Sequence, residues 1–159
     1  MGVCTTMYAV NTKMMKKIKA DNENLAFVVG ECEENEVWNV TKYEFDKSVE
    51  VFINIFYVTG AKKSAKLIDS EYADLGIFEY DSYDIWAVSP AKVKMMLKEL
   101  ESINFELLKT DEGNKEITDQ RNNTLTEDEL ASYLGDLSDI KQFLNETSMQ
   151  SNYLIFTEA

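Results

Sequence analysis

The stretch YDIWAVSPAKVKMMLKEL, residues 83–100, joins a strand to a helix within one unbroken run. Apart from Asp84, residues 83–88 are aromatic, β-branched or small, the composition of a strand packed on a core. Ser89 supplies a hydroxyl for the unpaired N–H groups of a helix start. Pro90 occupies the first turn, where its missing N–H costs nothing. Val93, Met96, Leu97, Leu100 and Ile103 then recur at helical spacing and mark one apolar face.

The start of the chain repeats the device in weaker form. Residues Val3 to Val10 read as a strand, Asn11 as a cap, and Met14, Met15 and Ile18 as a short helical stripe. The echo between YAVN and WAVS does not extend downstream, so it is one strand-cap-helix solution used twice, not a duplication. NYLIFT, residues 152–157, closes the chain as a last strand. Strands at both ends predict termini paired within one sheet. The expected architecture is a single α+β domain over residues 1–159: a small, mostly antiparallel sheet including both terminal strands, packed with about five helices.

Between these anchors, Thr41-Lys42-Tyr43-Glu44 fits a capping box and predicts a helix carrying Phe45, Val49, Phe52, Ile53 and Phe56, closed by Gly60. Asn54 in its middle reads as a hydrogen-bonded core amide in preference to a functional one. A short strand is expected near Leu67 and Ile68, and residues 109–124 form a long polar connection. Thr126 to Glu129 is a second capping box. Its helix presents Leu130, Tyr133, Leu134 and Leu137, is weakened by roughly 1 kcal/mol at Gly135, and can break there before Ile140, Phe143 and Leu144.

Charge narrows the function. Sixteen basic residues against 29 acidic ones leave a formal charge of −13, which repels phosphate backbones and anionic headgroups. Arg121 is the only arginine, so the planar fork that reads phosphates and guanine edges is nearly absent. Nucleic-acid and membrane partners are disfavoured. Cys4 and Cys32 form no CxxC pair; Cys4 reads as a small buried residue of the first strand and Cys32 as a loop thiol beside Glu31, Glu33, Glu34 and Glu36. That acidic run lacks the alternating ligands and central glycine of a calcium loop, and no metal is expected there. A reduced cytoplasm is the expected location.

With these elements placed, the chain resembles the YfbM-like family of bacterial proteins, a domain of unknown function. The resemblance rests on MGVCTTMYAV, on FDKSVEVFINIFYVTG, on YDIWAVSPAKVKMMLKELESINFELL and on DIKQFLNETSMQSNYLIF. It implies helices around a small sheet and no established activity. Members often carry Trp and His in the helix that begins with Asp-Lys, whereas this chain has no histidine. Asp46 and Lys47 remain as the polar pair of that motif. The carboxylate at a helix start suits the positive end of the helix dipole.

Without histidine the usual nucleophile-base arrangements and the commonest zinc ligand are missing, and acid-base work falls to carboxylates. No glycine-rich phosphate loop, nucleophile elbow or dinucleotide fingerprint occurs, and no cofactor is expected. The leading expectation is a non-catalytic cytosolic protein, immunity- or inhibitor-like, that binds a protein partner of basic surface through an acidic, aromatic-rich face. The alternative is a small-molecule-binding or carboxylate-dependent hydrolytic domain built around Asp81 and Asp84 at the head of the strand. Asp46, Lys47, Asp81, Asp84 and Trp86 are the candidate ligand- or partner-binding residues.

Overall fold

The computed structural model describes residues 4–29, 39–45, 49–81, 83–104, 107–108, 117 and 124–158. Strands β1 (Thr5–Val10), β2 (Thr41–Phe45), β3 (Ile77–Tyr80), β4 (Tyr83–Val88) and β5 (Tyr153–Glu158) form one sheet in the order β2-β1-β5-β4-β3. Every neighbouring pair is antiparallel, and the two terminal strands lie side by side near its middle, Thr5 opposite Glu158 and Val10 opposite Tyr153.

Both faces of this sheet are covered. Helix α1 (Thr12–Ala20), a 3-10 turn at Asn22–Leu25 and α2 (Ala26–Val29) place Met14, Met15, Ile18, Leu25 and Val28 against Val10, Ile85, Ala87 and Ile155. Helices α3 (Val49–Thr59), α4 (Lys62–Ile68), α5 (Pro90–Glu101) and α6 (Glu127–Met149) enclose the larger core around Met7, Trp86, Val88, Leu154 and Phe156. Successive strand residues point to opposite faces, so a strand buried on both sides must be apolar at every position. YAV, IWAV and LIF are therefore unbroken apolar runs.

The helix starts expected at Asn11, Ser89 and Thr126 are present. Asn11 Oδ1 accepts from the Met14 N–H at 2.8 Å, Ser89 Oγ from Lys92 N–H at 3.4 Å, and Thr126 Oγ1 from Glu129 N–H at 3.2 Å. Three helices end alike. Gly60 (φ 97°), Ser70 (φ 61°) and Ser151 (φ 53°) adopt left-handed backbone. The next N–H then reaches back to close the turn: Ala61 to Phe56 O at 2.8 Å, Glu71 to Lys66 O at 2.9 Å and Asn152 to Thr147 O at 3.0 Å.

Five expectations need correction. Thr41-Lys42-Tyr43-Glu44 is strand β2 and not a capping box, and the helix is described only from Val49. TKYEF alternates, so pairing with β1 sends Tyr43 and Phe45 toward the core, where Phe45 meets Phe52 edge-on at 5.3 Å, and leaves Lys42 and Glu44 paired in solvent at 2.6 Å. That burial outweighs a local cap. Leu67 and Ile68 belong to α4, not to a strand. Helix α6 runs through Gly135 without a break, because Tyr133, Leu137, Ile140, Phe143 and Leu144 keep one buried stripe on both sides of it. Cys4 is exposed, just before β1, and Asn54 is half-buried on α3, not a core amide. Among the described residues no helix is long and apolar enough to cross a membrane.

Candidate functional site

Strands β3 and β4 are joined by two residues, Tyr80 pairing with Tyr83 across the turn. A two-residue hairpin needs left-handed backbone at its first position, and Asp81 supplies it with φ 51°. Asp is among the few residues that tolerate that conformation. Asp81 is exposed at this tip and acts as the turn residue.

Asp84, three positions on, is exposed on β4 directly opposite Glu158 of β5. Strand alternation puts both carboxylates on the sheet face that carries Trp86 and Phe156. Asp69, the residue that follows α4, completes the group. Glu158 is half-buried, and its carboxyl is held above the usual carboxylate range, first by burial and then by repulsion from Asp84 and Asp69.

Trp86 is the next residue along β4 on that face, at 3% exposure, its ring stacked on Phe156 at 5.4 Å with an interplanar angle of 2°. The indole Nε1–H donates to Leu67 O at 2.8 Å, tying β4 to α4. The indole is thus a buried tie between sheet and helix and not an exposed contact. The structure brings Asp84 together with Asp69 and Glu158. Asp81 stands apart at the turn, and Asp46 and Lys47 lie outside the described residues, as do Cys32 and the Glu31–Glu36 run.

A carboxyl group with raised proton affinity is the kind that general acids use. Among the described residues no three His, Cys, Asp or Glu side chains gather closely enough to hold a metal ion. Glu158 is more strongly protonated in the folded chain than in the unfolded one. Its contribution to stability is therefore full below the ordinary glutamate range and is lost as pH rises through the raised folded value. Glu158→Gln, which cannot ionise, is expected to melt higher than the wild type at pH 7 and together with it at about pH 4. Thermal melts across this range check it; a difference that does not change with pH would refute the assignment.

A second feature lies elsewhere. The end of α3, the start of α4 and one side of α5 enclose a cleft of about 600 Å³, lined by Gly60, Lys63, Lys94, Met95, Lys98 and Glu99 among others. Glu99 Oε1 accepts from both Ser64 N–H and Ser64 Oγ–H, each at 2.7 Å. Sequence reasoning missed both this cleft and Glu158. Each depends on contacts between elements far apart in the chain; only the charged Lys94-Lys98 spacing along α5 hinted at the cleft.

Comparison with known proteins adds family and fold. No curated protein matches the chain. The crystal structure of YfbM from Escherichia coli, a protein of unknown function, is similar with a TM-score of 0.61 at 13% identity, over 98% of this chain and 99% of that one. At that identity the likeness speaks to the fold, a helix-covered antiparallel sheet. A family model matches residues 1–157, and the chain belongs to that family, the domain of unknown function DUF1877.

Proposed function

We propose that the protein is a non-catalytic cytoplasmic binding module, immunity- or inhibitor-like, that docks a protein partner of basic surface. The outer face of α6 carries this reading. Its inner stripe is core, and Glu127, Asp128, Glu129, Asp139 and Glu146 are exposed along a rod of about 34 Å. The first three favour the positive end of the helix dipole and need no partner to explain them. Asp139 and Glu146 lie well past the first turn, where the dipole gives a carboxylate no such support, and Glu146 Oε1 accepts from Gln142 Nε2 at 3.3 Å within the helix. With a formal charge of −13, the molecule attracts a basic partner at long range. Asp81 and Asp84 offer a smaller acidic edge in the same sense, with Trp86 fixing the strand under Asp84.

The test is capture from native cytosol with the wild type and with a Glu127→Lys, Asp139→Lys, Glu146→Lys variant. A basic protein held by the wild type, released by salt and associating at least about tenfold more slowly with the variant is the expected result. Identical recovery by both proteins would sink the proposal. A second reading, a small-molecule-binding domain, is favoured by the cleft between α4 and α5. The hydrolytic form of that reading would use Asp84 and Glu158 as its carboxylate pair.

A further inference from the structure

We infer that the cleft between α4 and α5 binds a phosphorylated small molecule, an inference that rests on the small-molecule reading and is independent of docking at α6. The open cleft, with a volume of about 600 Å³, has room for a small organic ligand. Lys63 enters from α4, and Lys94 and Lys98 stand one turn apart on α5. Like charges at that spacing repel, and none of the three ammonium groups has an ion pair among the described residues.

This concentration of positive charge runs against the rest of the chain. Helices α4 and α5 together carry Lys62, Lys63, Lys66, Lys92, Lys94 and Lys98 against only Glu99 and Glu101, within a molecule of net charge −13. Lys66 and Lys92 are occupied elsewhere, their ammonium groups 5.0 and 5.7 Å from the Tyr72 ring centre. The carboxylate that lines the cleft, Glu99, is turned into the start of α4, where Ser64 occupies its Oε1. The lysines thus keep their charge for something that arrives from solution.

Three point-charge donors suit a multiply charged phosphate, which lysine binds without the planar fork of arginine. Half-buried Met95 gives the cleft an apolar wall for an organic body attached to that phosphate. A bare anion would leave that wall uncovered.

The experiment is an amide NMR titration of the full chain with ADP, adenosine and citrate. ADP is expected to shift Met95, Lys98 and Gly60, with binding weakened by added salt. A Lys63→Gln, Lys94→Gln, Lys98→Gln variant should bind ADP about 30-fold more weakly, about threefold for each exposed charge removed. The three lysines are exposed, so the variant should keep its melting temperature, and Lys13→Gln with Lys16→Gln on α1 should leave ADP binding unchanged. If adenosine shifts the cleft as strongly as ADP, or the triple variant binds ADP as well as the wild type does, phosphate recognition is overturned while the small-molecule reading stands. If citrate alone binds, the cleft takes carboxylates and the phosphate assignment is likewise overturned. If no probe shifts these residues, both are overturned.

Discussion

Trp86→Ala is expected to lower the unfolding free energy by about 4 kcal/mol, the range for deleting a large buried aromatic side chain. For a chain of this size that is a fall of about 12 °C in the thermal midpoint. Three losses combine. The indole is 3% exposed and fills the space between sheet and helices. Its parallel stack on Phe156 disappears, a pairing worth about 1 kcal/mol beyond area alone. The bond from Nε1–H to Leu67 O, which ties β4 to α4, is also broken. Trp86→Phe isolates that last part. Leu67 O also accepts from Ser70 N–H at 3.2 Å, so the carbonyl is not orphaned and the cost should stay near 1 kcal/mol for the bond plus a small packing loss. Urea unfolding of both variants decides the matter, and an alanine variant that loses less than about 1 kcal/mol would show that the indole is not the anchor.

Where order was written locally, it could be read from the sequence. The β4–α5 unit was legible because strand, cap, proline and apolar stripe all fall within residues 83–100 and agree. The terminal strands were legible because YAV and LIF are too short and too apolar for surface helices. Strand β2 was not, because TKYEF satisfies a helix-cap pattern and an alternating strand equally, and only its pairing with β1 chooses. Strand β3 was missed because Asp81, which opens its turn, stands where a glycine usually signals a two-residue hairpin. Continuity of α6 through Gly135 is likewise a tertiary result, fixed by packing on both sides of the glycine.

The candidate sites divide the same way. Asp84 could be singled out because it heads a recognisable strand. Its partner Glu158 is 74 positions distant and becomes a neighbour only through the β4–β5 register. Trp86 drew notice as a contact residue, and burial assigns it a supporting part. Lys63 on α4 and Lys94 and Lys98 on α5 border one cleft only through the packing of the two helices. Family membership covers nearly the whole chain and accounts for the shared architecture, whereas any function has to be argued from these side chains.

Glu99→Ala is expected to cost about 2 kcal/mol, an unusual sum for a half-buried surface glutamate. The reason lies at the start of α4, where Ala61 occupies the cap position and offers no side-chain acceptor. Glu99, 35 residues away, supplies the missing oxygen to Ser64 N–H and Ser64 Oγ–H, and Ser64 is fully buried. Removing it leaves two donors without this acceptor. Glu99→Gln keeps an amide oxygen in place but loses the charge, so about 1 kcal/mol should go. The same change removes the negative charge from the cleft wall, and ADP should bind the Gln variant more tightly than the wild type while the fold becomes weaker. Opposite signs in a chemical-denaturation measurement and an ADP titration on one variant are the signature of a carboxylate that holds a helix while facing an anion site. A Glu99→Gln protein unchanged in both would mean that the carboxylate neither caps α4 nor borders a binding cleft.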